Sequence, residues 1–539
     1  MASPIVNTNY GQIRGLQKTS CYNKQYNAFY AIPYAEKVVG EYRFKAPRPL
    51  QKWENVLDAT KVGDSCWLFD KLNPYEKKII GSENCLHLNI YTPELNPTKK
   101  LPIMVYFHGG RYTTMSGSPF YYGPDYLMEK NVILITFNFR MGVFGFLSLK
   151  DETLGIPGNA GMKDQVMALK WIKENVECFG GDSENITIFG QSSGATSVHY
   201  HLLSDASKGL FNRAIIMSGS AFVPWALIPP KDFAYRLVKA LGYEGKENDA
   251  DILEYLKTLK PEDLVSTQET IFTPNERATG QLIAFGPVIE PYMTENTFMS
   301  AHPFEMTAKA WGNDVDVMIG GCSHEGLLLY ARFNPIMLKS LGDFSSIVSL
   351  NLQRESDDPK CAKKGLQIKR FYYGDSEPNE ENVDTFFTMQ GHKVFWHGMW
   401  LTMKSRVKNV NSNTFLYRFA LEPTTNKTIR QAFGVPHMRG ASHVEDVFYI
   451  FKAEYLEPHV KGTHEYEVMQ VMTETFTSFA RSGNPNVQRL GDVKWDPVKS
   501  FEDKNQIKCL NISNDFSFIE LPETKYMEIW DEICDNVKF

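Results

Sequence analysis

The stretch running from Asn185 to Leu203 constrains the fold of this chain more than any other. It opens with the apolar, β-branched run NITIF, passes through Gly190-Gln191-Ser192-Ser193-Gly194, and continues into ATSVHYHLL. These three pieces read as strand, tight turn and helix. A G-x-S-x-G motif standing alone is a weak signal. Between a strand and a helix it has the context a nucleophile elbow needs. The small residues at 190 and 194 permit the sharp turn that lifts the Ser192 oxygen clear of the sheet. The helix that follows directs backbone N–H groups and a partial positive charge at any oxyanion forming beside that serine.

The same alternation recurs along the chain. Ile103–Phe107, Val132–Phe139, Ile186–Phe189, Ala214–Met217, Val317–Ile319 and Thr414–Phe419 are predicted strands. Most are continuously apolar, as strands covered on both faces are. Helical patterns lie between them. Lys163–Asn175 puts Val166, Leu169 and Ile172 on one face, and Thr463–Arg481 is a second long amphipathic segment. The fold class implied is α/β with a largely parallel sheet. A polar, helix-like stretch from about Pro229 to Phe285 is expected to be an insertion covering the sheet's edge. No repeat or linker marks a domain boundary, so residues 1–539 are expected to form a single domain.

Composition excludes several function classes. With 57 Lys+Arg against 63 Asp+Glu the net charge is −6, and no basic block offers a nucleic-acid or anionic-membrane surface. Eight cysteines in 539 residues are too few for a disulfide scaffold, and none are spaced C-x-x-C. The longest apolar runs fall well short of the ~20 residues that span a bilayer. No apolar signal segment opens the chain, so a cytoplasmic protein is expected; a secreted one with its signal removed would read the same. His324-Glu325 begins like H-E-x-x-H, but position 328 is leucine, so no zinc site follows. No phosphate-binding loop is present, and neither cofactor nor metal is expected.

A serine needs a base to take its proton. After a nucleophile elbow the partners follow in the order Ser, acid, His. Strand Val317–Ile319 runs into Gly320-Gly321-Cys322-Ser323-His324-Glu325-Gly326, which makes Glu325 the candidate acid, although a solvated loop glutamate fits that pattern equally well. Among the downstream histidines, His443 precedes the apolar run VFYIF and is the first candidate base, with His437 next.

Several ordered blocks resemble the type-B carboxylesterase/cholinesterase family of α/β-hydrolases. They are EYRFKAP (41–47), SENCLHLNIYTP (82–93), HGGRY (108–112), NFRMGVFGFL (138–147), FGGDSENITIFGQSSGA (179–195), IGGCSHEG (319–326) and GASHVED (440–446). HYHLLSDASKGLFNRAIIMSGS (199–220) and the run from FEM to AWG (304–312) are similar to insect intracellular detoxifying carboxylesterases, including the mosquito B-type esterases. The resemblance implies an α/β-hydrolase fold with a large, mostly parallel mixed sheet flanked by helices. It implies Ser192 as nucleophile, Glu325 as acid and His443 as base. Gly110, Arg111 and Ser193 match the oxyanion-hole donors, and Ser218 matches a hydroxyl beside the acid. Trp225 and Leu329 match substrate-pocket walls, and Tyr112 is a further pocket candidate. Cys66 and Cys85 match a loop-closing disulfide. Arg43 with Glu83, and Arg140 with Asp164, match structural ion pairs. The partners implied are small ester substrates and organophosphate inhibitors, with the chain a monomer or homodimer.

Three departures from the family pattern stand out. The oxyanion loop reads His108-Gly109-Gly110-Arg111 where a third glycine is usual. Gln191 replaces the common glutamate before the nucleophile, as in juvenile hormone esterases, so that substrate stays open. The tryptophan that holds choline in cholinesterases is missing from the Cys66–Cys85 loop, with Tyr75 near its place and Trp67 beside the first cysteine. Glycosylation sequons stand at Asn185, Asn426 and Asn511.

Overall fold

The computed structural model describes residues 3–535, 537 and 539, apart from 72, 74, 282, 340, 409–410, 423–437 and 503–506. An 11-stranded sheet runs through it. Its strands in chain order are β1 (Leu16–Thr19), β2 (Gln25–Pro33), β3 (His87–Thr92), β4 (Leu101–Phe107), β5 (Ile133–Phe137), β6 (Gly181–Gln191), β7 (Arg213–Met217), β8 (Asp316–Cys322), β9 (Thr414–Phe419), β10 (Lys508–Ile512) and β11 (Phe516–Glu520). Across the sheet they lie β11-β10-β9-β8-β7-β6-β4-β5-β3-β2-β1. From β10 to β5 every neighbouring pair is parallel. The remaining pairs, β10–β11, β5–β3, β3–β2 and β2–β1, are antiparallel.

The sequence pattern explains this arrangement. All six predicted strands form, and they are the contiguous parallel set β4 to β9. Each feeds two cores, because successive side chains along a strand point to opposite faces. Ile103, Val105, Phe107, Ile186, Ile188, Ala214 and Ile216 pack into one core with helices α1 (Ala160–Asn175) and α2 (Ser193–Leu203). Met104, Tyr106, Phe189, Ile215 and Met217 pack into the other with α3 (His464–Ser482). Val166, Leu169 and Ile172 of α1 are buried as their spacing predicted. The Thr463 hydroxyl caps α3 by accepting from the Tyr466 N–H.

Two ion pairs tie distant loops together. Arg140 grips Asp164 through Nε at 2.8 Å and Nη2 at 2.6 Å, and donates to the Lys45 carbonyl at 2.7 Å. Arg43 holds Glu83 in the same two-pronged way, at 2.6 and 3.0 Å, and reaches the Leu259 carbonyl. Planar guanidinium–carboxylate pairing of this kind is directional as well as attractive. Cys66 and Cys85 form a disulfide closing the intervening loop.

One expectation is corrected. The 229–285 insertion does form helices, at Phe233–Ala240, Asp249–Thr258, Pro261–Thr267 and Pro274–Thr279. The third packs on helix Gly142–Phe146 and on the small two-stranded sheet of Leu68–Phe69 and Ile79–Ile80, and the fourth on helix Ser345–Leu352, rather than along an edge strand. Gln268 fixes this docking by accepting from the Val143 N–H at 3.0 Å. Among the described residues no helix is long and apolar enough to cross a membrane. Asn511 is buried in β10 and accepts from Arg418, so its sequon cannot carry a glycan in this fold. Asn426 lies outside the described residues.

Candidate active site

β6 ends at Gln191, and α2 starts at Ser193. Ser192, between them, sits at φ 58°, ψ −124°. An L-residue adopts that region only when its surroundings impose it. The Ser192 N–H donates to the Met217 carbonyl at 2.9 Å, which ties the turn to the end of β7. A side chain at 194 would place its Cβ 2.0 Å from the Phe107 carbonyl oxygen, so only glycine lets α2 start this close to β4. The Ser193 amide is the first of α2 and has no acceptor one turn earlier, as at any helix N-terminus.

The second wall is the 108–115 loop that follows β4. Gly110 has φ 102°, and a Cβ there would meet the Thr114 oxygen at 2.1 Å. The Thr113 and Thr114 N–H groups both donate to the Gly110 carbonyl at 3.0 Å, closing the turn. Arg111 also lies in the left-handed region, at φ 58°. That conformation costs a non-glycine residue about 1–2 kcal/mol, which gives a backbone reason for glycine at this position. Burial lowers the adjacent His108 to about 4, so it is neutral and stacks on Phe139.

Glu325 enters from the end of β8 and is fully buried. Its Oε1 accepts from the Ser218 hydroxyl at 2.5 Å and from the Cys322 N–H at 2.7 Å. Its Oε2 lies 2.5 Å from His443 Nδ1. The 440–443 loop is pinned to the same strand end. The His324 N–H donates to the Ala441 carbonyl at 2.8 Å, and the Ala441 N–H to the Ser323 hydroxyl at 3.0 Å. Phe395 stacks on the His443 ring with centroids 4.3 Å apart. The geometry therefore couples Glu325 to His443, residues 118 positions apart in sequence. His437, the other candidate base, lies outside the described residues.

The remaining predicted positions fall as follows. Trp225 is half-buried, donates to the Val394 carbonyl at 2.8 Å, and meets Phe395 edge-on. Leu329 is half-buried on the short helix after Glu325. Tyr112 is packed in the core, its hydroxyl paired with Ser197 at 3.1 Å and its ring against Phe146. Tyr75 is 75% exposed and touches Phe120, so its ring faces mostly solvent.

Sequence reading missed Asp446, three residues past His443. It is fully buried, Oδ2 accepts from the Tyr417 hydroxyl at 3.0 Å, and Oδ1 has no partner among the described residues. Burial, reinforced by the negative charge of Glu325, pushes its carboxyl up to about 7. An unfolded aspartate titrates near 3.9. The native state therefore holds more protons than the unfolded state between about pH 4 and 7, and stability falls as pH rises through that window. Asp446→Asn is expected to remove the slope. Melting temperatures of variant and parent should diverge in the variant's favour from pH 5 to pH 8, and curves that stay parallel would contradict the assignment.

Residues 2–530 match the Carboxylesterase family model. The chain is 38% identical to Esterase B1 of Culex pipiens over 99% of both chains. It is 32% identical to a juvenile hormone esterase of Tribolium castaneum, over 95% of this chain and 88% of that one. The crystal structure of juvenile hormone esterase from Manduca sexta, with OTFP covalently attached, superposes with a TM-score of 0.86 at 29% identity, covering 99% of this chain and 100% of that one. With the fold and these relationships together, the chain belongs to the carboxylesterase family of α/β-hydrolases and is a carboxylic ester hydrolase.

Proposed function

We propose that Ser192, Glu325 and His443 carry the hydrolysis through an acyl-enzyme. The observation that carries this reading is the buried contact of His443 Nδ1 with Glu325 Oε2 at 2.5 Å, beside a serine at a strand–helix turn. The carboxylate fixes the tautomer, so the Nε2 lone pair is the base. His443 takes the Ser192 proton as the serine oxygen attacks the ester carbonyl. The Gly110, Arg111 and Ser193 amides stabilise the oxyanion. The imidazolium then protonates the leaving alcohol. Water, deprotonated by the same nitrogen, releases the acid. Ser218 holds the far oxygen of Glu325 and so orients the pair. We take residues 1–539 as one domain on this basis, since the strands supplying these groups share one sheet.

The substrates we propose are xenobiotic carboxylic esters, with organophosphates as slow covalent inhibitors. Likeness to Esterase B1 over the whole chain supports an esterase, and the resemblance of 199–220 and 304–312 to insect detoxifying carboxylesterases supports a detoxifying role. A juvenile hormone ester is the second reading, favoured by the Manduca juvenile hormone esterase fold and by glutamine rather than glutamate at 191. Comparing kcat/KM for p-nitrophenyl butyrate with that for a juvenile hormone methyl ester separates the two.

Arg111 shapes the rate. Its left-handed backbone places a long side chain at the oxyanion loop. Loss of a whole oxyanion donor costs about 10²–10³ in rate. Arg111→Gly relaxes the loop without removing the amide, and should raise kcat/KM on p-nitrophenyl acetate and butyrate by about tenfold, a fraction of that range. Equal values on several neutral esters would refute it. A burst of about one equivalent followed by near silence, relieved in the glycine variant, would instead identify a slow-turnover scavenger.

A further inference from the structure

Gln191 touches the nitrogen that the reaction needs. His443 Nδ1 faces a carboxylate, so it carries the ring proton and Nε2 presents a lone pair. Gln191 Nε2 lies 3.0 Å from that atom. Only an amide N–H can satisfy a neutral imidazole there, so Gln191 donates and His443 accepts. The other end of the same amide faces the oxyanion loop, where a Cβ built on Gly109 would lie 3.0 Å from Gln191 Oε1 and 3.2 Å from Ser192 Cβ. The side chain is 3% exposed, so water does not compete for these positions. Among the described residues no hydrogen bond joins the Ser192 hydroxyl to His443. The base thus faces its neighbour in sequence to the serine rather than the serine itself.

We propose that Gln191 is a positioning residue that caps His443 in the resting enzyme and is displaced when an ester enters the oxyanion loop. This rests on the assignment of His443 as the base. The cap has two consequences. It occupies the lone pair that must receive the Ser192 proton, so acylation requires the amide to swing aside. It also pairs only with the neutral ring, because an imidazolium N–H would meet an N–H donor. The amide oxygen lies on the Gly109 side, at the start of the oxyanion loop, so an ester entering there meets the same amide.

The charged and titratable groups around His443 frame the pH test. Glu325 lies against Nδ1, and Asp446 interacts with both Glu325 and His443. Cys322 and Glu523 feel the Glu325 charge from β8 and from the loop after β11. Gln191→Met leaves the charge of this cluster as it is. Gln191→Met keeps the length and removes the donor. Gln191→Glu offers an acceptor that pairs with the protonated ring.

The experiment measures the second-order rate of phosphorylation by diethyl p-nitrophenyl phosphate from pH 5.5 to 9.5, on full-length parent, Gln191→Met, Gln191→Glu and Ser192→Ala. One hydrogen bond to the neutral ring corresponds to roughly half to one pH unit. The acid limb of Gln191→Met should move up by about that amount, and its rate at pH 9 should exceed the parent's about fivefold, the value of one such bond. In Gln191→Glu the limb should move up by about 1–2 units, with rate recovered at high pH. Limbs that coincide with the parent's in both variants would overturn the cap, as would a Gln191→Met rate below the parent's at every pH. Should methionine prevent folding, Gln191→Leu, which also lacks the donor, takes its place. Phosphorylation persisting in Ser192→Ala would overturn the serine assignment itself, a failure distinct from that of the cap.

Discussion

Ser192→Ala should lower kcat on p-nitrophenyl acetate by about 10⁶ while leaving the fold intact. The expected loss is this large because the residue forms the covalent bond, and nothing adjacent can replace it. Ser193 is next in the chain, but it starts α2 and its hydroxyl is buried without a partner among the described residues. The methyl of alanine fits where the serine Cβ already stands, and the φ of 58° is no worse for alanine than for serine. Unchanged melting with turnover gone is the expected pair of results. Retained turnover above about one hundredth of the parent rate would move the nucleophile elsewhere, since loss of a nucleophile of this kind costs far more.

Glu325→Gln should cost about 10⁴ in kcat. The carboxylate accepts from Ser218, from the Cys322 amide and from His443. A glutamine oxygen can serve Ser218 and Cys322, but its NH₂ then faces Nδ1. The ring must answer by moving its proton to Nε2, which abolishes the lone pair that would take the Ser192 proton. The same substitution removes the charge that helps hold Asp446 protonated, so the carboxyl at 446 should ionise at lower pH in the variant. A kcat within tenfold of the parent would show that Glu325 has no part in setting the tautomer.

How much of this was legible in the residues differs by element. β4 to β9 were readable because both faces are buried, which leaves unbroken apolar runs. β3 is equally buried yet was missed, because His87, Asn89 and Thr92 interrupt it. Those polar side chains belong to the interior: Asn89 accepts from the Ala31 N–H and donates to the Gly117 carbonyl, which hydropathy does not register. β1, β2, β10 and β11 lie toward the sheet's two ends, where exposed residues break the pattern. At the site, Gln191-Ser192 was local and therefore visible. Residues alone left His443 and His437 both open, because the pairing with Glu325 depends on two strand ends meeting. The Gln191–His443 contact spans 252 positions, and no spacing rule reaches that far. Asp446 was hidden for the opposite reason: an acid in a polar-looking loop reads as exposed until the Tyr417 side of the sheet covers it.

The central claim is that Ser192 is the nucleophile of this esterase, and active-site titration tests it most directly. Incubation with diethyl p-nitrophenyl phosphate, followed in parallel by p-nitrophenol release, residual esterase activity and peptide mass mapping, should give one equivalent released per chain. Activity should fall in proportion, and a single diethylphosphoryl group should map to Ser192. A fully phosphorylated protein that keeps its activity, or an adduct on any other residue, would contradict the account.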